Sequence, residues 1–317
     1  MDQTPQNDDK GFSRLAIAVE SLVKQERWTR RFGNILKLAI AAYVIFFIYL
    51  ATQKMMHVEN LDSITHAKEH VAVVKIEGPI MPGGKVSADK INPLLASAFE
   101  NSSSKAVIIK ANSPGGSPVQ SALINDEITR LKKLHNKPVY VVVEDVCASG
   151  CYYIAVAADQ IYANKGSMIG SIGVRMDTFG VTGLMEKIGI ENRSMHAGDH
   201  KTFIDPFSPQ DEVGRAFFQE MILEKTHQQF IAAVRAGRGE RIKETKESYT
   251  GLVWLGDDAM SNGMIDGLGD LKGVARDVFE TEHLRYYETQ KSFMEEIMGD
   301  ITSETSTKLA LFLSSMR

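Results

Sequence analysis

Cysteine is scarce in this sequence, and so is any excess of charge of one sign. The 317 residues include two cysteines, Cys147 and Cys151, which lie too close in sequence to staple a domain, so no disulfide framework sets the fold. Lysine and arginine number 36 against 40 aspartates and glutamates, a formal net charge of −4. Without a basic surface or a basic-aromatic stretch, nothing favours nucleic acid as a partner. The 44% of hydrophobic residues is typical of a globular protein with a sizeable core.

A long apolar run is also missing, although a shorter one lies near the N-terminus. Leu38–Ala51 is an uninterrupted apolar stretch of 14 residues, shorter than the roughly 20 needed to cross a bilayer. Ile35 and Met56 extend it, and nearby lysines can reach the headgroups. We therefore predict one transmembrane anchor over 35–56. A cleaved signal peptide or a buried core helix is the alternative, but the leader is long and lacks an A-x-A-like exit.

The charges around this run predict its orientation. Basic residues precede it, namely Lys24, Arg27, Arg30, Arg31 and Lys37, whereas Glu59 and Asp62 follow it. The positive-inside rule then makes 1–34 a cytoplasmic tail and places the bulk of the chain across the membrane, after a linker over 57–69. In a bacterium this describes a single-pass protein of the inner membrane with a periplasmic or extracytoplasmic domain.

From residue 70 onward, strand patterns alternate with helix patterns. The sequence predicts strands at 71–76, 105–110 and 138–143, and helices over 86–100, 119–134 and 148–158. Because the strands are apolar almost throughout, we expect an α/β fold with a parallel sheet covered on both faces.

The C-terminal half reads mainly as helix. A long helix is predicted over 210–236, with Ser208 as its N-cap and Pro209 at the first helical position. A helical, Met-rich tail is predicted over 282–317. No internal repeat is visible, so one catalytic domain over 70–281 is the simplest organisation.

Small residues surround a serine where a strand turns into a helix. Ser149 lies between Ala148 and Gly150, and a helix N-terminus there would supply unpaired N–H groups. Gly115 and Gly116 follow a different strand and can present another N–H at the same sheet edge. Taken alone, either motif is equally well explained as a turn or as close packing. Together they predict a nucleophile with donors for an oxyanion.

The general base is not decided by spacing. His200 and Lys201 are neighbours in a polar loop, and both remain candidates. A lysine amine titrates near pH 10.4 in water, so a lysine serves as a base only where burial favours its neutral form.

Three segments of the sequence resemble one family. The runs KAVIIKANSPGGSPVQSALINDEITRLKKL, DVCASGCYYIAVAADQIYANKGSMIGSIGV and GLVWLGDDAMSNGMIDGLGD begin at Lys105, Asp145 and Gly251. They resemble the signal peptide peptidase A family of membrane-bound serine peptidases, in its short form with one catalytic domain, over roughly residues 70–280. The resemblance implies a crotonase/ClpP-like fold of βα units with a parallel sheet, and a Ser/Lys dyad that uses no cofactor and no metal.

The resemblance also implies residue roles. Ser149 matches the nucleophile of the A-S-G-x-Y-Y motif, and Lys201, 52 residues downstream, matches the general base. Ser171 in G-S-I-G-V matches a hydroxyl that positions the lysine amine, with Ser167 as the weaker alternative.

The family's oxyanion hole maps onto glycines of this sequence. Gly115 or Gly116 supplies one donor, and the amide of Gly150, directly after the nucleophile, supplies the other. The sequence departs from the family at Cys151, where glycine is common, and at Cys147, which is outside the motif. We expect both thiols to be packing residues, with a local disulfide as the alternative in an oxidising compartment.

The resemblance implies an endopeptidase that hydrolyses apolar peptides, such as remnant signal peptides, through an acyl-enzyme. It also implies a ring-like homo-oligomer whose subunits complete each other's sites. Two alternatives stay open: an inactive membrane scaffold on the same fold, and a crotonase-like protein that binds acyl-thioesters.

Overall fold

The computed structural model describes residues 37–49 and 68–288, and the chain divides into two compact units, 1–68 and 69–317. In the first unit, the described residues 37–49 form helix α1, whose side chains are all exposed. Within the described part of the chain, no helix is both long and apolar enough to cross a bilayer. The predicted anchor extends beyond both ends of α1 into residues outside that part, as do the predicted tail and most of the predicted linker.

The second unit alternates strands and helices along the chain. Its first half contains β1 (His70–Glu77), α2 (Ala88–Glu100), β2 (Ser104–Ser113), α3 (Pro118–His135), β3 (Val139–Ala148), α4 (Gly150–Ala155), β4 (Gln160–Ala163), β5 (Met168–Gly170) and α5 (Thr182–Ile188). Its second half contains α6 (Glu212–Phe218), a π-helix (Gln219–Glu224), α7 (Lys225–Arg238), a 3-10 turn (Gly239–Arg241), β6 (Val253–Leu255), α8 (Gly256–Ser261), β7 (Gly267–Leu268), α9 (Leu271–Phe279) and β8 (Leu284–Tyr287).

One mixed sheet connects these strands in the order β6-β5-β3-β2-β1-β8. All pairs are parallel except β5–β6, which is antiparallel, so the predicted mostly parallel α/β fold is confirmed. Strand β3 pairs with β2 on one edge, and on the other edge it pairs first with β4 and then with β5. This switch of partners brings β5 next to the carboxyl end of β3.

The central strands are buried on both faces, as their apolar sequences predict. Alternate side chains of β1, β2 and β3 pack with α2, α3 and α4 in the main core. The opposite face of these strands forms a smaller core, in which Val274 of α9 packs with Val71, Ile108 and Val142. Helices on both faces leave the carboxyl edge of the sheet open for a site.

The long helix of the C-terminal half begins later than predicted and is interrupted. Asp211, and not Ser208, is the N-cap, because its carboxylate accepts a hydrogen bond of 2.9 Å from the Gly214 N–H. The hydroxyl of Ser208 instead donates to Asp205 at 2.5 Å, within the preceding turn. The π-helix then separates α6 from α7, so the segment is not one regular α-helix.

The prediction of a helical tail over 282–317 is wrong at its start. Leu284–Tyr287 form β8, which pairs in parallel with Val71–Val74 at the edge of the sheet. Without β8, the edge of β1 would expose unpaired backbone N–H and C=O groups. A strand at this edge pairs with those groups, which a helix cannot do. Residues 289–317 of the predicted tail lie outside the described residues.

Candidate active site

Ser149 occupies a sharp turn between a strand and a helix. Strand β3 ends at Ala148, α4 begins at Gly150, and the Ser149 backbone between them has φ 53° and ψ −123°. Positive φ is sterically costly for a residue with a side chain. Two hydrogen bonds hold it: the Ser149 N–H donates to the Gly170 carbonyl at 2.7 Å, and the Tyr153 N–H donates to the Ser149 carbonyl at 3.0 Å. The turn leaves the Ser149 side chain partly exposed.

The glycine turn after β2 packs directly against this serine. A Cβ atom built on Gly115, where φ is +94°, would lie 2.8 Å from the Ser149 Cβ and 2.7 Å from the Gly150 nitrogen. A Cβ on Gly116 would lie 2.0 Å from the Ile80 carbonyl oxygen. A side chain on Gly115 would therefore push the glycine turn away from the serine turn, and one on Gly116 would push it away from Ile80, which explains why glycine is needed at both positions.

The two glycines differ in what their N–H groups do. The Gly115 N–H donates to the Ser113 hydroxyl at 3.1 Å. Gly116 forms a parallel bridge with Ile80 that uses its neighbours' backbone groups and not its own N–H. Its nitrogen lies 3.2 Å from the position of a Cβ on Gly150.

Gly150 is the first residue of α4, where N–H groups have no acceptor within the helix. Neither the Gly116 N–H nor the Gly150 N–H donates to another residue of the described chain. These two adjacent amides are therefore the ones available to a ligand atom.

Ser171 lies beside the serine turn. It directly follows Gly170, whose carbonyl accepts from Ser149, and its own N–H donates to the Leu252 carbonyl at 2.8 Å. Ser167, the alternative to Ser171, is buried in a turn, where its hydroxyl accepts from the Asn164 N–H and donates to the Glu144 carbonyl. Its hydroxyl is thus engaged in the fold and unavailable to an amine.

A cleft of about 960 Å³ opens over these groups. Five of the six predicted site residues line it: Gly115, Gly116, Ser149, Gly150 and Ser171. The rest of the lining is largely apolar, with Val119, Ala122, Leu123, Tyr153, Val174 and Phe230, and polar Arg175, Thr226 and Gln229 at other points of the wall.

Lys201 is the predicted site residue that the single chain does not bring to this cleft. It is exposed, in a turn closed by a 3.1 Å hydrogen bond from its N–H to the Gly198 carbonyl. The neighbouring His200 contacts Asp211 at 2.6 Å between Nδ1 and Oδ2. The Gly214 N–H and the His200 ring together hold the pKa of Asp211 below its ordinary value.

The two cysteines form a disulfide, with Cα atoms 5.1 Å apart. Our expectation of two packing thiols is therefore wrong, and the alternative of a local disulfide is right. A separation of four residues gave no reason to prefer a bond. The turn at Ser149 folds the end of β3 back onto the first turn of α4, and so brings the two sulfurs together.

Comparison with known proteins relates this chain to a peptidase family. The family pattern described as Peptidase family S49 matches residues 132–285. A Methanocaldococcus jannaschii protein, provisionally named a protease, is 34% identical over 220 residues, which cover 69% of this chain and 70% of that protein. The chain therefore belongs to peptidase family S49.

Other relatives share a smaller part of their length. A protein of Brucella abortus named a Na⁺/H⁺ antiporter is 41% identical over 214 residues, which cover 66% of this chain and 29% of that protein. A solved structure of a membrane-bound stomatin-specific protease mutant in complex with a substrate peptide is 18% identical to this chain, with a TM-score of 0.45. The match covers 75% of this chain and 99% of the other. The chain thus spans under a third of the length of the antiporter relative.

Proposed function

We propose that this protein is a serine endopeptidase whose nucleophile is Ser149, on a crotonase/ClpP-like arrangement of βα units. The observation that carries the proposal is the position of Ser149 at a positive-φ turn in the cleft, beside two N–H groups without acceptors among the described residues. Such a turn presents a hydroxyl to a substrate carbonyl, and paired amides stabilise the negative oxygen that forms on attack.

In this mechanism the Ser149 hydroxyl attacks a peptide carbonyl while a neutral Lys201 amine accepts its proton. The N–H groups of Gly116 and Gly150 bind the oxyanion, which favours Gly116 over Gly115 as the second donor. The lysine then protonates the leaving amine, and water resolves the acyl-enzyme. Ser171, next to the serine turn, would hold the amine in place.

The exposed position of Lys201 supports a site completed by a second copy of the chain. The segment 174–211 carries Lys201 and has no buried residue. It nevertheless contains large apolar side chains that are exposed, among them Phe179 at 73% and Met195 at 98% exposure. Exposed apolar patches of this kind mark interaction surfaces. Burial between subunits would also favour the uncharged amine that the mechanism needs.

His200 is the rival base. Its Nδ1 contact with the Asp211 carboxylate is the orientation that serine peptidases use to direct Nε2 towards a nucleophile. Because His200 and Lys201 are adjacent, a subunit interface that delivers one delivers the other to the same region. Single alanine variants at the two positions separate them.

Substrates and placement follow from the cleft and the N-terminus. An apolar cleft wall suits extended, apolar peptides near a membrane, such as cleaved signal peptides. The apolar run and its basic leader support an anchor over 35–56, with the peptidase domain extracytoplasmic. The Cys147–Cys151 bond supports the same placement, since disulfides persist in oxidising compartments.

The test uses the full chain in detergent and a serine-reactive phosphonate probe. We expect Ser149→Ala to remove both probe labelling and hydrolysis of an apolar peptide library, with an unchanged unfolding transition. The control is Ser261→Ala, at an exposed serine of α8, which should keep full activity. Failure of the wild type to label would favour the inactive scaffold, and binding of a CoA thioester by calorimetry would favour the acyl-thioester protein.

A further inference from the structure

The disulfide closes around the candidate nucleophile. Cys147 is the last residue but one of β3, and Cys151 is the second residue of α4. The bond therefore closes a ring of residues 147–151 with Ser149 at its centre. Both cysteines are buried, at 0% and 1% exposure. The bond therefore crosses beneath the turn and leaves the cleft side free.

Each end of the bond is attached to a rigid part of the fold. In the sheet, Cys147 is in register with Ser113 of β2 and Ile169 of β5, so near the carboxyl end of β3 it is held between the two neighbouring strands. Cys151 packs in the main core beneath α4. The bond thus fixes the first turn of α4 against the sheet.

The effect of this bond must be local. A ring of five residues removes less chain entropy from the unfolded state than a long loop would, so the bond adds less to overall stability than a disulfide across a long loop. The backbone at Ser149, in contrast, has φ 53°, a conformation that is sparsely populated unless its surroundings enforce it. Hydrogen bonds at Ser149 and Tyr153 contribute to holding it, and the disulfide is the covalent constraint on the same turn.

We propose that the Cys147–Cys151 bond is a positioning device that keeps Ser149 at positive φ and directs the Gly150 N–H into the cleft. The proposal rests on the serine peptidase function proposed above. A dithiol reductant supplies the two electrons and two protons that convert the Cys147–Cys151 disulfide into two thiols, and the reductant is itself oxidised to a disulfide. The released turn then relaxes, and the hydroxyl and the amide lose their alignment.

The predicted signature lies in kcat. Relaxation of one strained residue corresponds to a loss of about tenfold in kcat. KM for an apolar peptide should change less than about twofold, because the apolar wall of the cleft is left intact. Loss of a purely structural disulfide would lower stability without this separation of kcat from KM.

The first experiment compares Cys147→Ala, Cys151→Ala and the double variant in the full chain. If the bond is what matters, each single variant loses as much kcat as the double, because either substitution breaks it. If the cysteines act only by packing, the two losses multiply in the double variant. A double variant with kcat within about twofold of the wild type overturns the proposal.

The second experiment does not depend on activity. Amide hydrogen exchange at Ser149 and Tyr153 is measured in the wild type before and after dithiothreitol, and the opened thiols are counted by alkylation of a parallel sample that is not acidified. Faster exchange at these amides, with Val73 of β1 unchanged, supports the proposal. Unchanged exchange in fully reduced protein overturns it. A wild type that neither labels nor hydrolyses refutes the peptidase function, while the exchange comparison still decides the role of the bond.

Discussion

Replacing Gly150 by alanine tests the candidate oxyanion site at one atom. The added Cβ would lie 2.4 Å from the Ser121 hydroxyl oxygen and 3.2 Å from the Gly116 nitrogen. Ser121 is fully buried, and its hydroxyl donates to the Ser117 carbonyl at 2.9 Å, so it has little room to move. We expect the first turn of α4 to shift away from Gly116 and to separate the two free N–H groups.

The size of the effect follows from two known costs. Overpacking a well-packed region costs about 1–3 kcal/mol in stability. Loss of one aligned oxyanion donor lowers kcat by about 10²–10³-fold. We therefore expect Gly150→Ala to reduce kcat on the order of 10²-fold. The assay is steady-state hydrolysis of a fluorogenic apolar peptide, with the unfolding transition of each variant measured in parallel.

A second substitution tests the cause. Ser121→Ala removes the clashing oxygen and leaves the Ser121 Cβ at 3.4 Å from the new methyl group, an ordinary contact. The double variant should regain about tenfold in kcat over Gly150→Ala, whereas Ser121→Ala alone should stay within about threefold of the wild type. Wild-type kcat in Gly150→Ala, or no recovery in the double variant, would refute the proposed donor geometry.

Further predictions concern the scaffold and the proposed assembly. Arg238 is fully buried, and its guanidinium donates two hydrogen bonds to the Asp266 carboxylate, at 2.8 and 2.9 Å. Asp266→Asn should therefore lower the free energy of unfolding by about 3–5 kcal/mol in urea titrations. The control Asp277→Asn, at an exposed site, should change it by less than about 1 kcal/mol. Burial opposes the charge of Asp266, but the hydrogen bonds and the charge of Arg238 lower the pKa of Asp266 below its ordinary value. The stability that Asp266 contributes should therefore be complete at neutral pH and be lost as the pH falls below about 4. An Asp266→Asn variant with the same acid unfolding profile as the wild type would contradict this. Phe179→Asp, on the exposed apolar segment 174–211, should dissociate the proposed assembly in size-exclusion chromatography with light scattering and should reduce hydrolysis as well. An unchanged mass would exclude that surface as the interface.

The central strands were predictable because their almost wholly apolar composition indicates burial on both faces. Strands with apolar residues on both faces, as in Val71–Ile76, have one stable place in an α/β fold, and the structure extends the prediction by a residue at each end. Leu284–Tyr287 carries no such pattern. It becomes β8 because the edge of β1 is open to it, and that is a property of the folded sheet.

The nucleophile of the candidate site was predictable from the sequence, but the geometry around it was not. Small residues at a strand-to-helix junction indicated Ser149, because close backbone approach requires them. Which glycine keeps a free N–H depends on the Ser113 hydroxyl and the Ile80 bridge, both of which are tertiary contacts. The position of Lys201 relative to the serine is likewise invisible in the spacing of the two residues.

The most direct test of the account mixes two inactive proteins. Ser149→Ala and Lys201→Ala are purified as full chains, dissociated, and reassembled together in equal amounts. If each site takes its serine from one subunit and its lysine from the next, random assembly leaves about one quarter of the sites intact. We predict that each variant alone is inactive and that the mixture recovers about one quarter of wild-type hydrolysis. No recovery would contradict a shared site, and a fully active Lys201→Ala would contradict the lysine base itself.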